Sequence, residues 1–210
     1  MANDKQRNEG WHADRRGKVT ASIMKDICKR QKNGNFYAAR ETHIFRIAHE
    51  ILTGQTAAGF TSAATDHGNT YEEVALEAYK KTVWSPIVLS GFIHHPLIQR
   101  AGASPDMLVG DDGLAEIKCP FNGAIHVETL INGMPEDHNY QIQMQLACTN
   151  RQWCDFVSFD PRLPPDYQLY VERVDRDELF IKTMNEMIWN FLEEVDKMVD
   201  LLKAKYEEKK

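Results

Sequence analysis

The sequence predicts an α/β (α+β) fold in which a central mixed sheet is flanked by helices. Apolar residues recur at helical spacing in several long stretches, while short β-branched runs bounded by glycine and proline lie between them. These elements come in the order helices, strands, helices, strands and a final helix, as in a layered domain built around one sheet. With 210 residues, 42% of them apolar and 27% charged, the chain has the makings of one domain, 1–210, with a sizeable core.

In chain order, residues 1–10 are polar and expected to be loose. Thr20 or Ser22 can cap a helix over 21–29. Lys25, Lys29, Arg30 and Lys32 concentrate positive charge there, either as a solvated face or as a surface turned to phosphate. A helix over 41–53 carries the stripe Ile44, Ile47, Ala48, Ile51 and Leu52 and stops at Gly54. A Gly/Ala/Thr-rich loop over 55–64 leads to a helix over 66–82, with Tyr71, Val74, Ala75, Ala78 and Tyr79 inward. Glu72 sits in its first turns, where an acid ordinarily does no more than compensate the helix dipole. Strands follow over 86–94, 99–105 and 113–119. A helix over 121–131 is broken by Asn132-Gly133-Met134-Pro135, and a helix over 138–149 carries Gln141, Gln143 and Gln145. Paired strands over 153–159 and 167–174 precede a long terminal helix with Phe180, Met184, Ile188, Phe191, Val195 and Leu202 inward. No internal repeat or linker interrupts this order.

The stretch richest in chemistry runs from Ser104-Pro105-Asp106 to Glu116-Ile117-Lys118. Gly110-Asp111-Asp112-Gly113 is a turn signal between apolar runs, and a hairpin there sets Asp106 beside Glu116. Side chains alternate along a strand, so Glu116 and Lys118 share one face and Ile117 takes the other. Two carboxylates suit a hard divalent ion such as Mg2+, and an ammonium beside them can orient or deprotonate water. The plain alternative is an ordinary hairpin with a surface Glu and Lys.

The net charge of −6 argues against wide nonspecific adhesion to nucleic acid, though not against a local basic channel. Cys28, Cys119, Cys148 and Cys154 form no CxxC pair and fit reduced thiols. No apolar run is long enough to span a bilayer, and the N-terminus lacks a signal-peptide core, which points to the cytoplasm and no membrane.

Ser-Pro-Asp, nine intervening residues and Glu-x-Lys-Cys-Pro resemble the core of the PD-(D/E)xK nucleases. More narrowly they resemble the phage lambda exonuclease and YqaJ-type viral recombinase family. Trp11-His12-x-x-Arg15 with Thr20-Ala21-Ser22, Gly68-x-x-Tyr71-Glu72, Gln141-Ile142-Gln143 and Phe159-Asp160-Pro161-Arg162 are similar to further motifs of that family, in order. Met107 departs from it, standing where glycine is usual.

The resemblance implies a restriction-endonuclease-like core and a 5′-to-3′ exonuclease. Such an enzyme digests one strand of double-stranded DNA from an end and releases 5′-mononucleotides. It further implies a toroidal homotrimer, of phage or bacterial origin, working beside a single-strand annealing protein in recombination. Two Mg2+ ions, with Mn2+ as a substitute, would be held by Asp106, Glu116 and the main-chain carbonyl of Ile117, with Glu72 as a further ligand. Lys118 would position the water or stabilise transition-state charge, and Gln141 would bond the scissile region or a metal-bound water. Arg15, Ser22 and Ser104 would bind the 5′-phosphate, with Trp11 packing at the DNA end. A PD-(D/E)xK endonuclease shares this core, and a non-catalytic DNA-end-binding recombination protein would keep the fold. The intact Asp/Glu/Lys set argues against the second.

Overall fold

Asn8 accepts a hydrogen bond from the Trp11 amide and so caps the first helix, α1 (Glu9–Arg15). The computed structural model describes residues 5–57 and 63–207. Helix α1 falls partly in the stretch expected to be loose; it buries no residue and so has no apolar stripe to announce it. Strand β1 (Val19–Thr20) follows, then a 3-10 turn over Ala21–Ile23 and helix α2 (Met24–Cys28). The expected helix over 21–29 is therefore split. Thr20 makes no capping bond, because its hydroxyl lies 3.2 Å from that of Ser22 instead.

Helix α3 (Ala38–Thr53) ends where Gly54 turns left-handed at φ +64°, a conformation glycine adopts without strain. The expected loop over 55–64 lies outside the described residues at 58–62. Helix α4 (Ala63–Lys80) leads to strands β2 (Ile87–Leu89), β3 (Ile93–His94), β4 (Ala101–Ala103), β5 (Met107–Val109) and β6 (Gly113–Lys118). Helices α5 (Gly123–Asn132) and α6 (Asp137–Thr149) precede the antiparallel pair β7 (Trp153–Phe159) and β8 (Leu169–Asp175), and α7 (Glu178–Glu207) is the last element among the described residues.

The fold is mixed α/β, but the strands form two sheets where one was expected. A three-stranded sheet has the order β1-β4-β3, and a five-stranded mixed sheet has the order β2-β5-β6-β7-β8. The run over 86–94 breaks because Phe92 turns its ring onto Gly102 of β4; a Cβ there would sit 2.2 Å from the ring. Pro105 has no N–H to donate, so the ladder of β4 ends and the chain crosses to β5. The Gln6 side-chain amide stitches both crossings, donating to the Ser90 carbonyl at 3.0 Å and the Pro105 carbonyl at 2.9 Å. Asp106 thus sits at the seam between the sheets.

Two helices clamp the larger sheet. Ala75, Leu76 and Tyr79 of α4 pack on Met107, Val109, Ala115 and Ile117, while Ile142 and Leu146 of α6 pack on Leu114, Cys154 and Phe156. The alternation along β6 is the expected one, with Leu114 toward α6 and Ala115 and Ile117 toward α4. Helix α6 turns Met144, Ala147 and Cys148 the other way, into a core shared with α2, α3 and α7. Each apolar side chain of this size contributes roughly 1.5–3 kcal/mol on burial, so α6 is held on two sides. The four cysteines are free thiols, and no helix among the described residues is long and apolar enough to cross a membrane.

Candidate active site

The β5–β6 register pairs Met107 with Ala115, which sets Asp106 opposite Glu116 one step further along. The Asp106 carboxylate accepts from the Ile117 amide at 2.7 Å. Glu116 is only 4% exposed, and both its oxygens are engaged. Oε1 accepts from Lys118 at 2.6 Å and from the Gln141 amide at 2.5 Å, while Oε2 accepts from Gln145 at 2.6 Å. Lys118 also donates to the Gln141 carbonyl oxygen at 3.1 Å, so the i and i+2 residues of β6 and one turn of α6 form a closed network. Glu72 comes from α4 and lines a small cavity with Asp106 and Ile117, where the Arg7 guanidinium pairs with it.

Three carboxylates, Glu72, Asp106 and Glu116, therefore face two cations, Lys118 and Arg7. Burial, then Glu116 and Glu72, push the Asp106 carboxyl well above the usual carboxylate range. Burial works against the Lys118 ammonium, yet Glu116 and Asp106 hold it above its ordinary value and keep it cationic. The donor chemistry fits a divalent cation: hard oxygen ligands, a main-chain carbonyl at Ile117 and one positive charge too few. Among the described residues, however, no three His, Cys, Asp or Glu side chains converge into a ready cage. Glu116 is turned to α6, Glu72 to Arg7 and Asp106 to the Ile117 amide.

A second cavity of about 290 Å³ is lined by residues that include Trp11, Arg15, Thr20, Ser22 and Arg46. Trp11 donates its indole N–H to the Ser104 hydroxyl at 2.9 Å, and Arg15 donates to the same oxygen at 3.3 Å. The Arg15 guanidinium lies 4.0 Å over the Trp11 ring. Burial, then the neighbouring Arg46, pull Arg15 down to about 10 against the opposing effect of Glu50. Arg15 has no carboxylate partner among the described residues, which leaves a planar fork of donors free for an anion.

The structure thus sets Glu72, Asp106 and Ile117 around one hollow, with Lys118 at an adjoining opening shared with Glu72 and Ile117 and tied to Glu116 and Gln141 behind it. Trp11, Arg15 and Ser22 line the second cavity, and Ser104 is bonded to Trp11 and Arg15 without lining it. Gln145, Arg7, Arg46 and Glu50 escaped the reading of the sequence. Gln145 was visible as a helical glutamine one turn on from Gln141, but its partner was not. Arg7 meets Glu72 across 65 residues of chain, and Arg46 with Glu50 reads as an ordinary i,i+4 helix pair whose place beside Arg15 comes only from packing. Two members of the early basic cluster are already used, since Lys25 and Lys29 both pair with Asp137. Arg162 donates to the carbonyls of Pro120 and Phe121 at 3.1 and 3.0 Å, and so pins the chain that leaves Lys118.

The profile of the YqaJ-like viral recombinase domain matches residues 10–152. Among solved structures, the chain is similar to an alkaline exonuclease (LHK-Exo) from Laribacter hongkongensis, at 39% identity and TM-score 0.88, over 97% of this chain and 100% of that one. The same enzyme in complex with dAMP aligns at TM-score 0.89, with identical coverage and identity. A phage related exonuclease from Haemophilus somnus 129PT shares the fold at 16% identity and TM-score 0.67, over 88% of this chain and 96% of that one. No curated protein matches the chain.

Proposed function

The chain belongs to the YqaJ-like viral recombinase family, and from that premise we propose that it is a Mg2+-dependent 5′-to-3′ exonuclease of double-stranded DNA. It would resect one strand from a 5′-phosphorylated end and release 5′-mononucleotides. The observation that supports this reading most directly is that Ser104 and Asp106 stand two residues apart, Ser104 bonded to the Trp11 and Arg15 that line one cavity and Asp106 lining the other. A terminal phosphate bound at Ser104 and a bond hydrolysed at Asp106 are then spaced by one short stretch of backbone. Removal of one nucleotide at a time needs such a fixed spacing. The dAMP bound to LHK-Exo is a mononucleotide of the kind expected as product.

Asp106, Glu116 and the Ile117 carbonyl would hold two Mg2+ or Mn2+ ions, with Glu72 as a further ligand. Such ions supply charge neutralisation at the phosphate and an acidified water. The rest falls to the chain itself. Lys118, paired with Glu116, would orient the attacking water or lie against the phosphate as negative charge grows on it. Gln141 fixes both partners of that ion pair, accepting from Lys118 and donating to Glu116. At the other cavity Arg15 and the hydroxyls of Ser22 and Ser104 offer donors to the terminal phosphate, and Trp11 orients Ser104. The same reading has the protein act in the cytoplasm as a homotrimeric ring beside a single-strand annealing protein.

The test is one assay on linear, 5′-phosphorylated duplex and on closed circles, each with and without Mg2+. Digestion of the linear duplex alone, and only with Mg2+, is expected. Cutting of closed circles would make the protein an endonuclease, and end binding with no digestion would make it a non-catalytic end-binding protein.

A further inference from the structure

Helix α3 brings a second guanidinium, Arg46, to the cavity that holds Arg15 and Ser22. Arg46 donates Nη1 to the Glu50 carboxylate at 3.0 Å, one helical turn on. Glu50 is 2% exposed and also accepts from the main-chain amides of Gly17 at 2.8 Å and Ala57 at 3.3 Å. Those donors fix Glu50 in place, so Glu50 in turn fixes Arg46. Glu50 is the sole carboxylate that pairs with Arg46 among the described residues, which leaves most of its fork unused.

We infer that Arg46 is a second phosphate-binding residue of this cavity, held by Glu50, and that it sets the preference for a terminal phosphate monoester. This rests on reading the cavity as the 5′-phosphate pocket. A terminal monoester presents three non-bridging oxygens, where an internal diester presents two. Arg15 and the two serine hydroxyls satisfy a diester, whereas the third oxygen calls for another strong donor, and a guanidinium fork is suited to it. Arg46 has a second effect. Glu50 is a buried carboxylate bordering an anion site, and without the guanidinium it would repel the phosphate.

The measurement is the affinity of a blunt hairpin duplex bearing either a 5′-phosphate or a 5′-hydroxyl, by fluorescence anisotropy in EDTA, where nothing is cleaved. Arg46→Ala is expected to lower the phosphate-to-hydroxyl affinity ratio by roughly tenfold to a hundredfold, the range for hydrogen bonds to a charged group. Arg46→Lys should recover part of it, because it keeps the charge and loses the fork. In Arg46→Ala/Glu50→Gln the ratio should exceed that of Arg46→Ala, since the repelling carboxylate is gone. An unchanged ratio in Arg46→Ala, with the ratio erased in Arg15→Ala, sinks the role of Arg46 and leaves the pocket standing. If Arg15→Ala also leaves the ratio unchanged, the pocket reading itself fails. Thermal unfolding of each variant separates a lost contact from a lost fold.

Discussion

Glu116 accepts hydrogen bonds from Lys118, Gln141 and Gln145, and this crowding makes single residues here unequal. Gln145 is fully buried and bonds the oxygen that no other side chain reaches, so Gln145→Ala leaves a buried carboxylate oxygen unsatisfied. A loss of about 1–3 kcal/mol is expected in urea unfolding; a smaller loss would mean that Glu116 finds another donor. Lys118→Ala acts differently, because the lysine is the only ammonium in the Glu116 network. It should fold, bind DNA ends and digest them about 10²- to 10⁴-fold more slowly, the range for a positioned proton-handling group. Digestion near the wild-type rate would remove Lys118 from the chemistry. Arg7 pairs with Glu72 across the mouth of the same hollow and stands where a cation is wanted. Pairs this exposed contribute about 1 kcal/mol or less, so Arg7→Ala should lower the Mg2+ needed for half-maximal digestion by up to roughly fivefold. Direct titration with Mn2+ should show the same tightening, and an unchanged midpoint in both would show no competition.

Among the elements, β6 was the most legible and α1 the least. Alternation along β6 is a local property, so the shared face of Glu116 and Lys118 could be read from spacing alone. Glu72 on α4 and Arg15 on α1 are placed by packing, and only a family resemblance pointed to them. The turn after β7 shows how a motif can be visible while its role is hidden. Asp160 accepts from the Arg162 amide at 3.0 Å and from Nε and Nη2 at 2.7 Å, and the same guanidinium reaches back some forty residues to the chain after Lys118. Those hydrogen bonds hold the Asp160 carboxyl below its ordinary value. Its folded-state value being depressed, the pair stabilises the fold above the unfolded carboxyl value of about 3.9, and that stability is lost as pH falls through the lower folded value. Asp160→Asn should therefore destabilise at neutral pH, with the gap to wild type closing in unfolding titrations carried down through that acid range. A constant gap at all pH values would deny the ion pair its role.

At the level of the whole molecule, the division into two sheets explains why the site lies where it does. The sequence pattern over 86–94 reads as one strand, because the contact that breaks it, Phe92 on Gly102, joins residues of two different elements. The same break makes the chain cross twice between sheets, and Asp106 stands at one crossing with Ser104 two residues before it. A molecule with net charge −6 that handles DNA must concentrate its positive charge, and the cavity with Arg15 and Arg46 is such a place. Binding should then depend on ends far more than on duplex length. Each phosphate neutralised on duplex DNA adds about 0.9 to the slope of log affinity against log salt. With about two phosphates engaged per chain, raising salt from about 50 to 200 mM should weaken end binding only about tenfold. A protein tracking six or more phosphates along the groove loses about a thousandfold or more over the same range. Filter binding of 5′-phosphorylated linear duplex against closed circles, across that range without Mg2+, tells the two apart. A steep slope shared by both substrates would mean that an extended basic surface, and not the terminal phosphate, holds the DNA.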